Sequence, residues 1–164
     1  MTLSYQFYSS PLGRLSLVAS ERYLCGVFYE QHKHQTFDIN SIPCKPNEVL
    51  ELTCHQLQQY FSGQRKVFEL PLQTEVGTEF QRQVWQALLQ IPYGETRSYG
   101  ALAQSIGRPK AVRALGAANG RNPLSIIVPC HRVIASSGHL HGYAGGLARK
   151  QELLDLERKI SKMV

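Results

Sequence analysis

The chain changes its hydrophobic period once, near Gln73, and this switch restricts the fold more than any other feature of the sequence. In the first thirty residues apolar side chains alternate, as at Leu15, Leu17 and Ala19, the period-two pattern of a half-buried strand. After Gln73 they recur three or four apart, at Phe80, Val84, Leu88 and Ile91, the stripe of an amphipathic helix. A strand-rich half followed by a helical half predicts an α+β chain. Its expected division is 1–73 and 74–164, two small units that share enough length to bury a core.

Strands are predicted over 4–8, 14–19 and 23–29, the first two flanking a Ser-Pro-Leu-Gly turn. Residues 32–47, with two prolines and scattered polar residues, read as loop. Asn47 then starts a helix to Phe61, and Gly63 stops it. Residues 67–72 could add an edge strand. In the second half Thr78 and Gln81 form a capping box, and Pro92-Tyr93-Gly94 closes the helix that follows. Ser98 caps a second helix over 99–106, ended by Gly107. Pro109 suits the first position of a third, 110–119. Two short helices joined by a three- to four-residue turn containing Gly predict a helix-turn-helix. A short strand, 125–128, leads into Pro129-Cys130-His131-Arg132-Val133, and after a Gly- and His-rich loop a last helix runs over 147–159.

Charge follows the same division. The chain carries a formal +6. Residues 1–73 balance six basic against six acidic side chains, so the excess belongs wholly to the second half. Between Glu95 and Glu152 there is no acid, while Arg97, Arg108, Lys110, Arg113, Arg121, Arg132, Arg149 and Lys150 all fall there. One sign of charge over a segment rich in Ala, Gly and aliphatics reads as a folded face for a polyanion; a solvated basic face is the bland alternative. No apolar run approaches the roughly 20 residues of a membrane span. The N-terminus lacks the basic flank and apolar core of a signal peptide. A soluble, cytoplasmic chain is expected.

Four cysteines, at 25, 44, 54 and 130, show no CxxC pair, which suits free thiols in a reducing compartment. A zinc site from Cys25, Cys44 and Cys54 with His32, His34 or His55 fits no common ligand spacing, and His139-x-His141 is equally weak. Cys130 differs from the others. It follows a proline, precedes a His and an Arg, and lies inside the acid-free run, where cationic neighbours or a base can favour the thiolate. An extended Cys130 would point away from His131, so a local bend or a bridging water is needed. Glu157 is the nearest plausible carboxylate to orient that imidazole.

The pentapeptide Pro129–Val133 resembles the active-site motif of the O6-alkylguanine-DNA alkyltransferases. The resemblance extends to Gly77-Thr78, Phe80, Val84-Trp85, Ile91-Pro92-Tyr93-Gly94-Glu95-Thr96, Ser98-Tyr99, Arg113-Ala114, Gly116-Ala117-Ala118-Asn119, Asn122-Pro123 and Gly142–Leu147, in family order. Ser10-Pro11-Leu12-Gly13 is similar to the family's N-terminal hairpin.

The resemblance implies a ribonuclease-H-like first domain and a mainly helical second domain with a winged-helix-like helix-turn-helix. It also implies direct-reversal repair of duplex DNA: one alkyl group moves from the guanine 6-oxygen irreversibly onto the protein's own cysteine. The base is flipped out of the stack, the helix-turn-helix lies in the minor groove, and each molecule acts once, as a monomer and without cofactor. By correspondence Cys130 is the nucleophile, His131 the water-linked base and Glu157 its orienting carboxylate. Asn122 braces the active-site turn, and Tyr99 aids base rotation and protonates the guanine ring. Arg113 is the inserted finger, with Ala114, Gly116 and Ala117 among the small residues that allow close approach. Tyr143, Ala144 and Val133 form the pocket. Arg132 is left between a structural role and a phosphate contact.

Two departures from the pattern carry expectations. Ala144 stands where some relatives place a hydrogen-bonding Ser, so the pocket is expected to tolerate bulkier adducts or O4-alkylthymine. Ser20 stands near a family zinc-ligand Cys, so no structural zinc is expected. A lesion-binding relative without chemistry would lack the cysteine, and a Cys-His hydrolase would need an oxyanion hole but no basic helix-turn-helix.

Overall fold

The computed structural model describes residues 2–32, 35 and 37–163. Positions 33, 34 and 36 of the expected 32–47 loop, His34 among them, lie outside the described residues. Strands β1 (Ser4–Ser10), β2 (Gly13–Ala19) and β3 (Leu24–Tyr29) form an antiparallel sheet in that order. Ser10 pairs with Gly13 across the hairpin. Gly13 has φ +107°, a conformation that L side chains rarely adopt. Leu15 and Leu17 are fully buried, as their alternation requires. Helix α1 (Glu48–Phe61) starts at Asn47, whose side chain accepts from the Leu50 N–H, and buries Leu50, Leu57 and Tyr60.

The predicted edge strand over 67–72 does not form. Only Leu72 bridges β3, at Leu24, while the Gln56 side chain bonds both N–H and C=O of Glu69 at 2.8 and 3.1 Å. That side chain satisfies backbone that a ladder would otherwise hold.

Helix α2 (Glu79–Leu88) begins on the full Thr78–Gln81 capping box. A two-residue strand β4 (Arg97–Ser98) leads straight into α3 (Tyr99–Ser105), which Ser98 caps. Helix α4 (Val112–Gly120) starts later than Pro109 suggested. The Ala111 N–H bonds the Arg108 carbonyl at 2.9 Å, so Pro109 holds the second position of a turn, where its fixed φ also fits. The link between α3 and α4 is therefore residues 106–111, longer than the predicted turn. Trp85 of α2 donates through Nε1 to the Ala118 carbonyl of α4 at 2.9 Å, locking the helix-turn-helix to its support.

The strand predicted at 125–128 is also absent. This segment is a series of turns, with Ile126 at φ 74°. Its hydrogen bonds run internally, Val128 N–H to the Leu124 carbonyl at 2.9 Å, and to Asn122, instead of to a neighbouring strand. A β-branched residue at positive φ is strained by about 1–3 kcal/mol and persists only where its surroundings fix it. Here they do so one turn before Cys130. Cys130–Arg132 form a single 3-10 turn, and Val133–Ile134 (β5) pair in parallel with β4, a minimal sheet beside the helix-turn-helix. Helix α5 (Leu147–Ser161) closes the chain, burying Lys150, Leu153, Leu154 and Glu157 on one face.

The small sheet domain and the helical domain share one core, from Leu15 and Leu57 to Val133 and Leu153. The free edge of β3 is covered from both directions. Leu24 N–H bonds Pro71 O at 2.7 Å, and Val27 N–H bonds Pro123 O at 2.9 Å. The second bond seats the Asn122–Leu124 turn, and with it the cysteine loop, on the sheet. No helix among the described residues is long and apolar enough to cross a membrane.

Candidate active site

Asn122 is 2% exposed. Its Nδ2 donates to Val128 O at 2.8 Å, and its Oδ1 accepts from Leu124 N–H at 3.0 Å. One amide thus closes the loop that carries Cys130. Asn119 of α4 adds a longer bond, 3.4 Å, to the Cys130 carbonyl.

Of the bend or bridging water that the sequence called for, the chain supplies a bend, the 3-10 turn, but it does not bring Cys130 into hydrogen bond with His131. Side chains step about 120° around such a turn, so Cys130, His131 and Arg132 leave it in three directions. Cys130 is buried, and burial pushes its thiol up. The Asn122 side chain and the positive charge of Lys150 act in the opposite sense. The thiol also couples electrostatically to Tyr29, Tyr99 and Tyr143.

His131 and Arg132 both turn to Glu157. His131 Nε2 lies 2.8 Å from Oε2. Arg132 donates through Nε to Oε1 at 2.8 Å and through Nη2 to Oε2 at 3.0 Å, and through Nη1 to Ile91 O at 2.7 Å. The Tyr60 hydroxyl donates to Oε2 at 2.6 Å and Gly94 N–H to Oε1 at 3.3 Å. Burial alone would raise the Glu157 carboxyl, but His131 and the Arg132 fork outweigh it and hold the group well below the usual carboxylate range.

An ionised carboxylate accepts only, so Nε2 of His131 carries the proton it shares with Glu157. Burial lowers the imidazole pKa despite the carboxylate, and the Arg132 and Lys150 charges reinforce that direction. The ring is neutral with Nδ1 as its basic nitrogen. Nδ1 is buried and has no hydrogen-bond partner among the described residues. His131 is thus a neutral, oriented imidazole next in the chain to a buried thiol. With no direct hydrogen bond between the two among the described residues, a bridging water is what would make them nucleophile and base.

Two predicted groups meet at one opening. Tyr99, Arg113, Gly116, Ala117, Tyr143 and Ala144 all line a cavity of about 740 Å³ between α3, α4 and the active-site loop. Val133 does not line it; it is fully buried in the β4–β5 pairing. Ala114 is exposed on α4 but also outside it. Burial and the nearby Cys130 push the Tyr99 hydroxyl up, so it stays protonated at neutral pH.

The acid-free run divides in a way that charge counting did not anticipate. Arg108, Lys110, Arg113 and Arg121 are exposed on and around the helix-turn-helix. Arg132 and Lys150 are buried, and Arg97 pairs with Glu95. Arg132 is thereby resolved as a support of the active-site turn. Lys150, missed as a site residue, donates to His141 O at 2.7 Å, and burial pulls its ammonium down to about 8 against the opposing pull of Cys130. Its spacing on the stripe of Leu153, Leu154 and Glu157 was the available signal. Cys25 is buried, Cys54 half-buried and Cys44 exposed, and no group of three or more possible metal ligands occurs among the described residues.

Fold and site together define a class: an α+β protein that sets one buried thiol, with a histidine–carboxylate pair, behind an exposed basic helix-turn-helix. The comparisons agree. Residues 79–159 match the family model described as the 6-O-methylguanine DNA methyltransferase DNA binding domain, and residues 3–74 match its ribonuclease-like domain. The chain belongs to the 6-O-methylguanine DNA methyltransferase family. It is 47% identical to a methylated-DNA–protein-cysteine methyltransferase of Methanosarcina acetivorans, over 93% of this chain and 97% of that one. It is 45% identical to the constitutive one of Bacillus subtilis, over 94% of each. A crystal structure of Mycobacterium tuberculosis OGT in complex with DNA superposes with a TM-score of 0.87 at 44% identity, covering 96% of this chain and 94% of that one.

Proposed function

We propose that this protein repairs alkylated DNA by moving one alkyl group from O6-alkylguanine to Cys130, irreversibly and once per molecule. The observation that carries the reading is Cys130 itself, on a loop that Asn122 closes and next in the chain to a neutral His131 that Glu157 orients. His131 Nδ1 takes the thiol proton through a bridging water. The sulfur then forms a bond to the alkyl carbon as the carbon–oxygen bond breaks, and the electron pair leaves with the guanine. Tyr99, whose hydroxyl stays protonated at neutral pH, donates a proton to the guanine ring. Nucleophile, base and acid are all side chains, so the reaction needs no cofactor.

Duplex DNA is bound through the minor groove. The exposed Arg108, Lys110 and Arg121 supply charge, small residues at 114, 116 and 117 permit close approach, and Arg113 fills the place of the flipped base. Residues 1–73 support the site and residues 74–164 carry it, in a cytoplasmic monomer. Ala144 at the cavity wall widens the pocket, so larger O6-alkyl adducts and O4-alkylthymine are accepted.

Duplex carrying radiolabelled O6-methylguanine tests the reading. One equivalent of label should move to protein, with no second turnover. Repeated turnover, or retained transfer in Cys130→Ala, contradicts it. Repair of O6-methylguanine without transfer from O6-benzylguanine contradicts the wide pocket alone.

A further inference from the structure

The first domain reaches into the pocket through a residue that the mechanism above does not use. Tyr29 ends β3 and is 1% exposed. Its hydroxyl lies 2.8 Å from the hydroxyl of Tyr143, and the two rings meet edge to face at 5.6 Å. Three features build this contact. Gly145 admits the Tyr29 ring, since a Cβ there would fall 2.5 Å from its Cδ2. The Arg149 guanidinium sits over the same ring, 4.9 Å from its centroid. Arg149 also donates to Leu12 O at 2.8 Å and to Gly145 O at 3.3 Å, so it ties the β1–β2 turn to the active-site loop.

We propose that Tyr29 is a positioning residue of the first domain, which sets the place of the Tyr143 wall through this hydroxyl pair and thereby the adduct range of the pocket. The inference rests on the alkyl-transfer reading. Tyr143 lines the cavity, and its hydroxyl is paired with that of Tyr29, which does not line it. Each phenol can donate one proton and accept another, so one of the pair donates to the other in a site closed to solvent. Deleting either hydroxyl leaves its partner buried without that bond, and the Tyr143 ring is then free to shift away from the reacting carbon. A small adduct depends on a wall in contact with it, whereas a bulky one tolerates a looser wall.

The test is Tyr29→Phe, which keeps the ring beneath Arg149 and against Gly145 and removes only the hydroxyl. Single-turnover transfer is measured from duplexes carrying O6-methylguanine and O6-benzylguanine, beside the unsubstituted protein, Tyr143→Phe and the double variant. Loss of one such hydrogen bond should slow methyl transfer at saturating DNA about three- to tenfold. The half-saturating DNA concentration should stay unchanged, and benzyl transfer should fall less than methyl transfer. The double variant should be no slower than Tyr143→Phe, because both changes break one bond. Equal losses for both adducts, additive effects in the double variant, or unchanged rates in Tyr29→Phe overturn the proposal. Absence of transfer by the unsubstituted protein overturns the functional reading instead.

Discussion

Tyr60, on the helix of the sheet domain, donates a 2.6 Å hydrogen bond to Oε2 of Glu157 on the last helix. The carboxylate that orients the histidine of the helical domain is thus partly held by the other domain. Both groups are buried, and Arg132 supplies the countercharge.

Removing members of this network separates hydrogen bonding from charge. Tyr60→Phe should lower stability by about 1.5–3 kcal/mol, the range for a bond to a charged group. Arg132→Ala should cost more, about 3–5 kcal/mol, because it leaves a buried carboxylate without its cation. Urea unfolding midpoints measure both, and equal losses would show that Arg132 contributes no charge pairing.

The pH dependence of stability has a definite sign. Glu157 titrates at about 4.5 in an unfolded chain and lower when folded, so its contribution is present above 4.5 and is lost as pH falls towards the folded value. His131 acts in the same direction: its folded pKa lies below its ordinary 6.5, so protonation below 6.5 favours the unfolded chain. Melting temperature should therefore decline as pH is lowered from about 6.5 and more steeply below 4.5. Glu157→Gln should remove the steeper part. A melting temperature that stays flat down to pH 3 would contradict the burial and pairing of both groups.

How much of this was legible beforehand depends on how local the signal was. The capping box at Thr78 and Gln81 and the cap at Ser98 are short-range codes and stand where expected. The strand expected at 125–128 failed because its apolar run satisfies core packing without a neighbouring strand, its hydrogen bonds going to Asn122 and to its own turns. Residue correspondence brought His131 to Glu157, but periodicity could not have, since the contact joins a turn to a helix 26 residues away. Tyr29, Tyr60 and Lys150 were missed for a related reason. Each reads as an ordinary member of an apolar stripe or a charged run, and only the packed fold shows what its polar atom meets.

Asn122 is the local keystone of the cysteine loop. Asn122→Ala leaves the Leu124 N–H without its partner, worth about 1–3 kcal/mol when buried, and leaves the Val128 carbonyl only the Cys130 N–H at 2.8 Å. Loss of registration at Cys130 should slow transfer about 100-fold, the scale of a ~1 Å misplacement. Stopped-flow transfer assays on folded variant check this; an unchanged rate would mean that the proline and the core alone position the thiol.

Arg113 can be told apart from the other exposed cations. As an inserted finger, Arg113→Ala should abolish the fluorescence rise of a 2-aminopurine placed at the flipped position. It should change the slope of log affinity against log salt by less than about one. Arg121→Ala should do the reverse. Intact flipping with a slope reduced by about one in Arg113→Ala would make Arg113 a phosphate contact.

The most direct measurement is the intact mass of the protein after incubation with a duplex containing O6-methylguanine, followed by peptide mapping. The expected result is a single added methyl group, located on Cys130, with DNA binding retained and transfer lost in Cys130→Ala. An unchanged mass in the presence of bound, lesion-containing DNA, or a methyl group on Cys25, Cys44 or Cys54, would contradict the assignment of Cys130 as the acceptor.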